Sequence, residues 1–210
     1  MSNSILIDSD FFKNSELQRA VKQIRGGGIV MFPTDTLYGL AVDPRNWNAI
    51  EGLFRVKGRS PSNAVPMICA DLEQVEREVG LMSDLAKDLS RAFWPGPLTM
   101  VLDGNGSMAD NAIGLDGSVG VRIPSHPVAR ALASEVGHPI TATSANCSGE
   151  RAPQAVTETS KSILESVGLI LDSGEVPGGL PSTIVDVRTN PVQLIRAGAI
   201  PWDDVLNFIN

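Results

Sequence analysis

The chain has 210 residues, of which 42% are hydrophobic and 20% charged, a composition typical of a folded globular protein rather than a disordered one. Its formal net charge of −7 argues against non-specific coating of nucleic acid, because that kind of binding needs a dominant positive field. No apolar run approaches the roughly 18 residues of a membrane-spanning helix, and the start of the chain has no secretory-signal pattern.

The cysteines and histidines give no sign of a metal site. Cys69 and Cys147 lie far apart in the sequence and form no CxxC pair, so neither zinc nor a disulfide framework is expected. Cys147 has no base nearby in sequence and is interpreted as inert. His126 and His138 each precede a proline, which is typical of a structural N-cap or turn. A reducing, cytoplasmic location is the default prediction.

The first predicted elements are a short strand at residues 4–7 and a helix at residues 15–25, whose apolar residues recur at helical spacing. Gly26–Gly28 follow that helix and precede a strand at residues 29–32. Phosphate-binding glycine loops run in the opposite order, from strand to glycines to helix. The triple glycine is therefore interpreted as a helix stop.

Helices and strands continue to alternate along the rest of the chain. Helical spacing and stop signals predict six further helices, at residues 46–59, 71–80, 83–94, 126–137, 157–166 and 202–209. Apolar runs predict seven further strands, at residues 65–70, 98–103, 119–123, 139–143, 169–171, 183–187 and 192–196. Residues 103–120 contain five glycines without a clear period and are predicted to form a long mobile loop.

The order of these elements predicts an α/β fold. Alternating strands and helices over the first 170 residues favour a mainly parallel sheet covered by helices. The closely spaced strands near the end indicate some antiparallel pairing. No repeat or linker-like segment divides the chain. Residues 1–210 are therefore expected to form a single domain, a twisted open sheet of mixed parallel and antiparallel strands with flanking helices.

Three polar segments lie at the ends of predicted strands, where ligands collect in open α/β sheets. They are PTDTLYG (33–39), TSANCSG (143–149) and PGGLPST (177–183). All three carry hydroxyl groups and small residues that allow close approach of a ligand. Four basic residues follow or close apolar runs, and their charged groups are expected to emerge at element ends: Lys57, Arg59, Arg122 and Arg196.

Each of these residues also has a purely structural interpretation. The Thr34 and Thr36 hydroxyls can bond their own turn, Asp35 can support that turn, and Tyr38 can be a core residue with a polar tip. The chain contains no GxSxG, HExxH, Walker A or dinucleotide motif, and thus no obvious nucleophile. A group of cations and hydroxyls without a nucleophile is suited to binding a polyanion and stabilising its charge. The residues alone therefore predict a site for a phosphate-bearing ligand.

Seven segments occur in the order and approximate spacing of one family: FPTDTLYGLA, KGR, WPGPLT, VGVRIPSHPVA, TSAN, PSTIVD and IRAG. Over nearly its whole length the chain closely resembles the YrdC/TsaC-type threonylcarbamoyl-AMP synthases, in their short single-domain form. The resemblance implies a YrdC-like sheet with a deep, positively charged cleft. It also implies a reaction in which L-threonine, bicarbonate and ATP give L-threonylcarbamoyladenylate and pyrophosphate, for the threonylcarbamoyladenosine modification of tRNA.

The resemblance further implies which residues bind each substrate. The implied threonine-binding residues are Thr34, Tyr38, Arg122 and Ser182, with Arg122 paired to the threonine carboxylate. The implied ATP-binding residues are Lys57, Arg59, Ser144, Asn146 and Arg196. Lys57 and Arg59 are also the implied catalytic residues, because the carbamate is itself the nucleophile and the protein has only to stabilise charge. Mg²⁺ is expected to be held mainly by the phosphates, with no metal site on the protein.

The sequence departs from the family pattern at three positions. Ser60 and Ala197 replace prolines, and Ile68 stands where many relatives have a histidine, which puts the positioning of the amino acid in doubt. Closure of the cleft is expected from residues 103–120 or from the C-terminal segment.

The implied partners are the three substrates, downstream tRNA-modifying transferase proteins and a weak tRNA contact, without a membrane. Two alternatives are an RNA-binding YrdC-like module and a YciO-like paralogue without synthase activity. The net charge speaks against the first alternative. The retained KxR and SxN motifs speak against the second.

Overall fold

A computed structural model describes residues 4–6, 14–59 and 64–209. The helices are α1 (Asn14–Arg25), α2 (Trp47–Lys57), α3 (Leu72–Glu78), α4 (Asp84–Phe93), α5 (Pro127–Val136), α6 (Lys161–Ser166) and α7 (Trp202–Ile209). The strands are β1 (Ser4–Leu6), β2 (Val30–Phe32), β3 (Gly39–Ala41), β4 (Met67–Ile68), β5 (Leu98–Asp103), β6 (Ser118–Arg122), β7 (Ile140–Thr141), β8 (Thr143–Ser144), β9 (Leu169–Asp172), β10 (Thr183–Asp186) and β11 (Gln193–Arg196). Each predicted helix is present, whereas the predicted strand residue Ile7 lies outside the described ranges.

The strands form two mixed sheets. One has the order β1-β9-β2-β3-β8 and the other has the order β11-β10-β5-β6-β4-β7. Among the described strands, five neighbouring pairs are antiparallel and four are parallel. The α/β class and the mixed pairing are confirmed. Antiparallel pairing is not restricted to the end of the chain, because the unpredicted strand β3 already returns antiparallel to β2.

Residues 140–144 run directly from one sheet into the other. β7 belongs to the six-stranded sheet and β8 to the five-stranded sheet, with only Ala142 between them. The buried Thr141 hydroxyl accepts a hydrogen bond from Val42 N (2.9 Å) and donates one to Leu40 O (3.1 Å), and the Thr141 backbone amide donates to Val42 O (3.2 Å), so side-chain and backbone bonds together hold the junction. The expected single open sheet is therefore divided in two at this segment.

Helices cover the sheets, so that the central strands are buried on both faces. In β2, Val30 and Phe32 belong to the apolar cluster formed with α1 and α5, whereas Met31 points into the larger cluster on the other face. This alternation follows from the twofold period of a strand. It explains why the strand has a continuous apolar sequence. No helix in the described ranges is long and apolar enough to cross a membrane.

Two local interpretations from the sequence are confirmed. Residues 26–28 end α1, since the amides of all three glycines donate to carbonyl groups of its last turn, and Gly27 has a φ of 80°. His126 is the N-cap of α5, where its Nδ1 accepts a hydrogen bond from Val128 N (3.3 Å).

The prediction of a long mobile loop at residues 103–120 is wrong for the centre of that stretch. Met108 and Ala112 are buried, and the backbone is tied down by hydrogen bonds from Ala109 N to Pro44 O and from Val65 N to Ala112 O, both 3.0 Å. Its last residues belong to β6. These contacts could not be predicted from the sequence, because the apolar residues between the glycines have no regular spacing.

We expect Thr141→Val to lower the free energy of unfolding by about 2 kcal/mol, because the buried Val42 N–H and Leu40 carbonyl lose their side-chain partner. Urea unfolding of the two proteins measures the difference. Thr157→Val, at an exposed threonine, is the control and should change stability by less than about 0.5 kcal/mol. Equal losses in both variants would contradict the role of Thr141 at the junction.

Candidate active site

A cleft of about 700 Å³ is lined by strands of both sheets and by the end of α2. That volume lies in the range of small-molecule and cofactor sites. All four basic residues singled out from the sequence line it: Lys57, Arg59, Arg122 and Arg196. Among the described lining residues there is no aspartate or glutamate. As expected from the sequence, these residues lie at element ends: Lys57 ends α2, Arg122 ends β6 and Arg196 ends β11.

The alternation of β6 explains how a core strand can also form a wall of the cleft. Val119 and Val121 point into the apolar core, whereas Ser118, Gly120 and Arg122 line the cleft. In the neighbouring β5, Thr99 also lines the cleft. Thr99 was not among the predicted site residues, because one threonine in an apolar strand gives little signal.

The turn after β2 is held by Thr34. Its hydroxyl accepts hydrogen bonds from Thr36 N and Leu37 N (both 3.2 Å) and donates one to Leu37 O (2.7 Å). The structural interpretation of this hydroxyl is therefore correct. Thr34 nevertheless also lines the cleft. The turn thus presents a fixed surface to a ligand, as expected when side-chain groups are locked by hydrogen bonds.

Tyr38 lines the cleft as well, but its hydroxyl serves the fold. The hydroxyl donates to Gly174 O (2.7 Å), accepts from Ser173 N (3.0 Å), and lies 3.2 Å from Asp172 Oδ1. Burial raises the pKa of the phenol above its usual value, so the group stays protonated. Tyr38 therefore connects β3 to the segment after β9, and its hydroxyl is engaged by the protein.

Lys57 ends α2 and is only 4% exposed. Its Nζ donates to Ser144 O (2.5 Å) and to Asn146 O (2.8 Å), and Ser148 N donates back to Lys57 O (2.8 Å). Burial, together with the neighbouring charge of Arg59, lowers the pKa of Lys57 to about 8. Lys57 therefore fixes the loop after β8 and carries a proton that is lost at moderately alkaline pH.

The Asn146 side chain is oriented by its two carbonyl neighbours. Its Nδ2 donates to Cys147 O (3.0 Å) and to Glu150 O (2.6 Å), and because both partners are acceptors the amide nitrogen must face them. Its Oδ1 is buried without a hydrogen-bond partner in the described part of the chain. In this conformation Asn146 shapes the loop and has no N–H left to donate to a phosphate.

Ser182 and Arg196 form a second polar group at the opposite wall. Arg196 donates to Ser182 O (2.7 Å) and to Ser182 Oγ (3.1 Å), and Ser182 Oγ lies 2.8 Å from Thr99 Oγ1. Partial burial and the positive charges of Arg122 and Arg59 lower the pKa of Arg196. The mutual repulsion of these guanidinium groups makes the cleft favourable for an anion.

Arg122, at the end of β6, is paired with a carboxylate that was not predicted to belong to the site. Its Nη1 lies 2.7 Å from Asp35 Oδ1, and the two side chains are 7% and 9% exposed. Asp35 was expected only to support its turn, which is wrong, since Thr34 supplies the side-chain hydrogen bonds within that turn. The pairing joins residues 87 positions apart, beyond the reach of local sequence patterns.

The departures from the family pattern lie largely outside the cleft. Ile68 packs into the cluster between α1 and α5, while its neighbour Met67 lines the cleft. Ala197 does not line the cleft, and Ser60 falls outside the described residues. Ile68, which stands where many relatives have a histidine, therefore does not border the cleft in this chain.

Comparisons with known proteins identify the family to which the chain belongs. A family model described as "Telomere recombination", for Sua5, YciO and YrdC proteins, matches residues 22–198. The chain therefore belongs to the Sua5/YciO/YrdC family. A threonylcarbamoyl-AMP synthase of Pyrococcus abyssi is 36% identical over 188 residues, which are 89% of this chain and 55% of that protein. A threonylcarbamoyl-AMP synthase of Vibrio vulnificus strain YJ016 is 36% identical over 186 residues, 88% of this chain and 99% of that protein.

Solved structures agree with this assignment. Sua5 of P. abyssi, complexed with L-threonine, superimposes with a TM-score of 0.86 at 32% identity, over 99% of this chain and 59% of that chain. YciO of E. coli gives a TM-score of 0.85 at 27% identity, over 96% and 98% of the two chains. The chain thus spans about half the length of the archaeal relative and nearly all of the Vibrio relative.

We expect Tyr38→Phe to lower the free energy of unfolding by about 1 kcal/mol, a modest loss because water can reach the freed groups of residues 173 and 174. The amide of Ser173 should exchange with solvent faster, as hydrogen-exchange mass spectrometry of this segment would show. Unchanged stability and exchange would contradict the assignment of the hydroxyl to the fold.

Proposed function

We propose that the chain is an L-threonylcarbamoyladenylate synthase, which makes threonylcarbamoyl-AMP and pyrophosphate from L-threonine, bicarbonate and ATP. The observation that carries the proposal is the convergence of four basic side chains on one cleft whose described lining has no carboxylate. The names of the relatives, and the threonine complex of the archaeal structure, support the choice of substrates.

The ATP side of the cleft is proposed to consist of Lys57, Arg59, Ser144, Asn146 and Arg196. Lys57 and Arg59 neutralise the phosphates, and the third N–H of the Lys57 ammonium remains after two have bonded to carbonyl groups. Arg59 donates to Ala64 O (3.0 Å) and keeps further donors. Asn146 acts indirectly, by holding the loop that also carries Ser144.

The threonine side is proposed to consist of Thr34, Tyr38, Arg122 and Ser182. Arg122 supplies a guanidinium for the carboxylate, since planar pairing of these two groups is strong and directional. Ser182 offers its hydroxyl, whereas Thr34 contributes the fixed surface of its turn. Tyr38 contributes the wall of the pocket and not its hydroxyl, which is bonded to residues 173 and 174.

The proposed reaction needs no protein nucleophile. The threonine amine and bicarbonate give a carbamate with loss of water, and a carbamate oxygen attacks the α-phosphorus as pyrophosphate leaves. The cleft contributes positioning and positive charge, which are the main requirements of such transfers. Mg²⁺ is proposed to be ligated mainly by phosphate oxygens, since the described residues contain no group of three or more potential His, Cys, Asp or Glu ligands.

The domain organisation, the recipient of the product and the cellular location are proposed together with this reaction. Residues 1–210 are proposed to act as a single YrdC-like domain. The product is an activated intermediate, so downstream tRNA-modifying transferase proteins are the proposed recipients, with at most a weak tRNA contact by this chain. ATP and free threonine are cytoplasmic metabolites, and we propose a cytoplasmic location without a membrane partner.

We expect the purified protein to release pyrophosphate from ATP only when threonine and bicarbonate are both present. Lys57→Ala and Arg59→Ala should each lower turnover by about a hundredfold or more, the scale of losing one charge-stabilising group. Arg55→Ala, an exposed cation in the last turn of the same helix, should retain normal turnover. Circular dichroism checks that the variants remain folded. Absence of threonine-dependent pyrophosphate would refute the function, and normal rates in both cleft variants would refute the phosphate roles.

We expect ATP to bind more weakly as the pH rises through about 8, the pKa of Lys57. Below that pH the ammonium is charged and attracts phosphate, and above it the neutral amine still donates to both carbonyl groups but has lost its charge. Calorimetry from about pH 7.5 to about pH 9 should show a fivefold to tenfold rise in Kd.

Over the same pH range the contribution of Lys57 to the free energy of unfolding should rise, whereas ATP binding weakens. The folded pKa of Lys57 lies below the unfolded value of 10.5, so the unfolded chain binds more protons and this group favours folding more as the pH rises. Lys57→Met should bind ATP weakly and without this pH dependence. If the Kd for ATP of the natural protein did not change with pH, the proposed contact between Lys57 and the phosphates would be contradicted.

A further inference from the structure

We propose, on the basis of the threonine site described above, that Asp35 is a positioning residue: it fixes the Arg122 guanidinium so that the remaining N–H donors face the threonine carboxylate. Asp35 itself does not line the cleft, whereas Arg122 does. Asp35 therefore acts through Arg122 and not by contact with the substrate.

The pair bridges the two sheets. Asp35 lies in the turn after β2 of the five-stranded sheet, and Arg122 ends β6 of the six-stranded sheet. Their 2.7 Å contact is almost completely shielded from water, with exposed fractions of 9% and 7%. A charge pair in such surroundings is much less screened than one at the surface, so its geometry is strongly preferred.

Asp35 makes no second hydrogen bond among the described residues, although its charge also acts on the half-buried His126. The backbone N–H groups of Thr36 and Leu37, which an aspartate in this turn would ordinarily bind, already donate to Thr34 Oγ1. The second carboxylate oxygen, Oδ2, is buried without a hydrogen-bond partner in the described residues. An unfilled buried acceptor costs free energy, and a residue serving stability alone would be expected to fill it. Within the described part of the chain, the hydrogen bond that this carboxylate accepts comes from Arg122.

Arg122 needs such a partner because a neighbouring cation repels it. Its backbone is held in the sheet, where Cys69 N donates to Arg122 O (2.9 Å), but among the described residues its side chain has only Asp35 and a long contact from Nη1 to Gly96 O (3.5 Å). Arg196 carries a like charge close enough to Arg122 for the two to repel each other. Without the carboxylate, the Arg122 guanidinium would turn away from this cation and lose its alignment.

Two effects of removing the Asp35 charge oppose each other. A less neutralised Arg122 attracts the threonine carboxylate more strongly, but a guanidinium without a fixed plane cannot hold a carboxylate through two parallel hydrogen bonds. Three further cations already supply attraction in this cleft. The loss of alignment therefore outweighs the gain in charge, and threonine binding weakens.

The test is Asp35→Asn, assayed by threonine-dependent pyrophosphate release. We expect KM for threonine to rise about tenfold or more, the scale for breaking one side of a buried charge pair, with KM for ATP within about twofold of normal. Asp186→Asn is the matched control, because Asp186 is also 9% exposed and lies 2.7 Å from an arginine, Arg188, outside the cleft lining. It should lower stability and leave both KM values unchanged.

Coupling to Arg122 separates positioning from a general structural effect. If Asp35 acts through Arg122, the double variant Asp35→Asn with Arg122→Lys should have a threonine KM no higher than Arg122→Lys alone. If Asp35→Asn does not fold, Asp35→Glu keeps the charge but displaces the guanidinium, and the same selective rise in threonine KM is expected.

The outcomes distinguish the two proposals. A natural protein without threonine-dependent pyrophosphate release overturns the proposed function and the role of Asp35 together. An active natural protein whose Asp35 variant has a normal threonine KM, or an equal rise in both KM values, overturns only the role of Asp35. Additive effects in the double variant would also overturn it.

Discussion

The contact of the Lys57 ammonium with the carbonyl groups of Ser144 and Asn146 is the interaction on which the site depends. Removing an ammonium from water is costly, and carbonyl acceptors offset that cost only if they are already in place. The end of α2 and the loop after β8 must therefore fold together. That loop continues the segment that joins the sheets, so the same contact couples the sheet junction to the phosphate side of the cleft.

Hydroxyl groups and cations have different uses in this molecule. The hydroxyls of Thr34, Tyr38 and Thr141 are all bonded to backbone groups and hold turns and strands in place. The basic groups line the cleft, and each keeps donors beyond those bonded to the described residues. Such an arrangement is preorganised for an anion, because the groups that would otherwise have to reorient are already fixed when the ligand arrives.

The sequence predicted elements whose causes are local, and missed features that depend on distant partners. Strand β2 and the end of α1 were found because an apolar run and three glycines are sufficient signals. Strand β3 was missed, since three residues beside a polar turn give no pattern. The division into two sheets depends on Thr141 meeting Leu40 and Val42 about a hundred positions away. Basic residues at the ends of apolar runs were a sufficient signal for the four cations that line the cleft, whereas the partner of Arg122 could be seen only in three dimensions.

The sharing of residues 140–144 between the sheets has a mechanical consequence. Domain closure in many enzymes uses a hinge, where a few residues between two bodies absorb a change in backbone angles. Here the residues between the sheets are themselves strands, and their N–H and C=O groups are bonded to both sides. Rotation of one sheet against the other would break those ladders. The part of the cleft lined by Ala142 and Thr143 therefore has a fixed width, and ligands of different size must be accommodated by movements elsewhere in its lining.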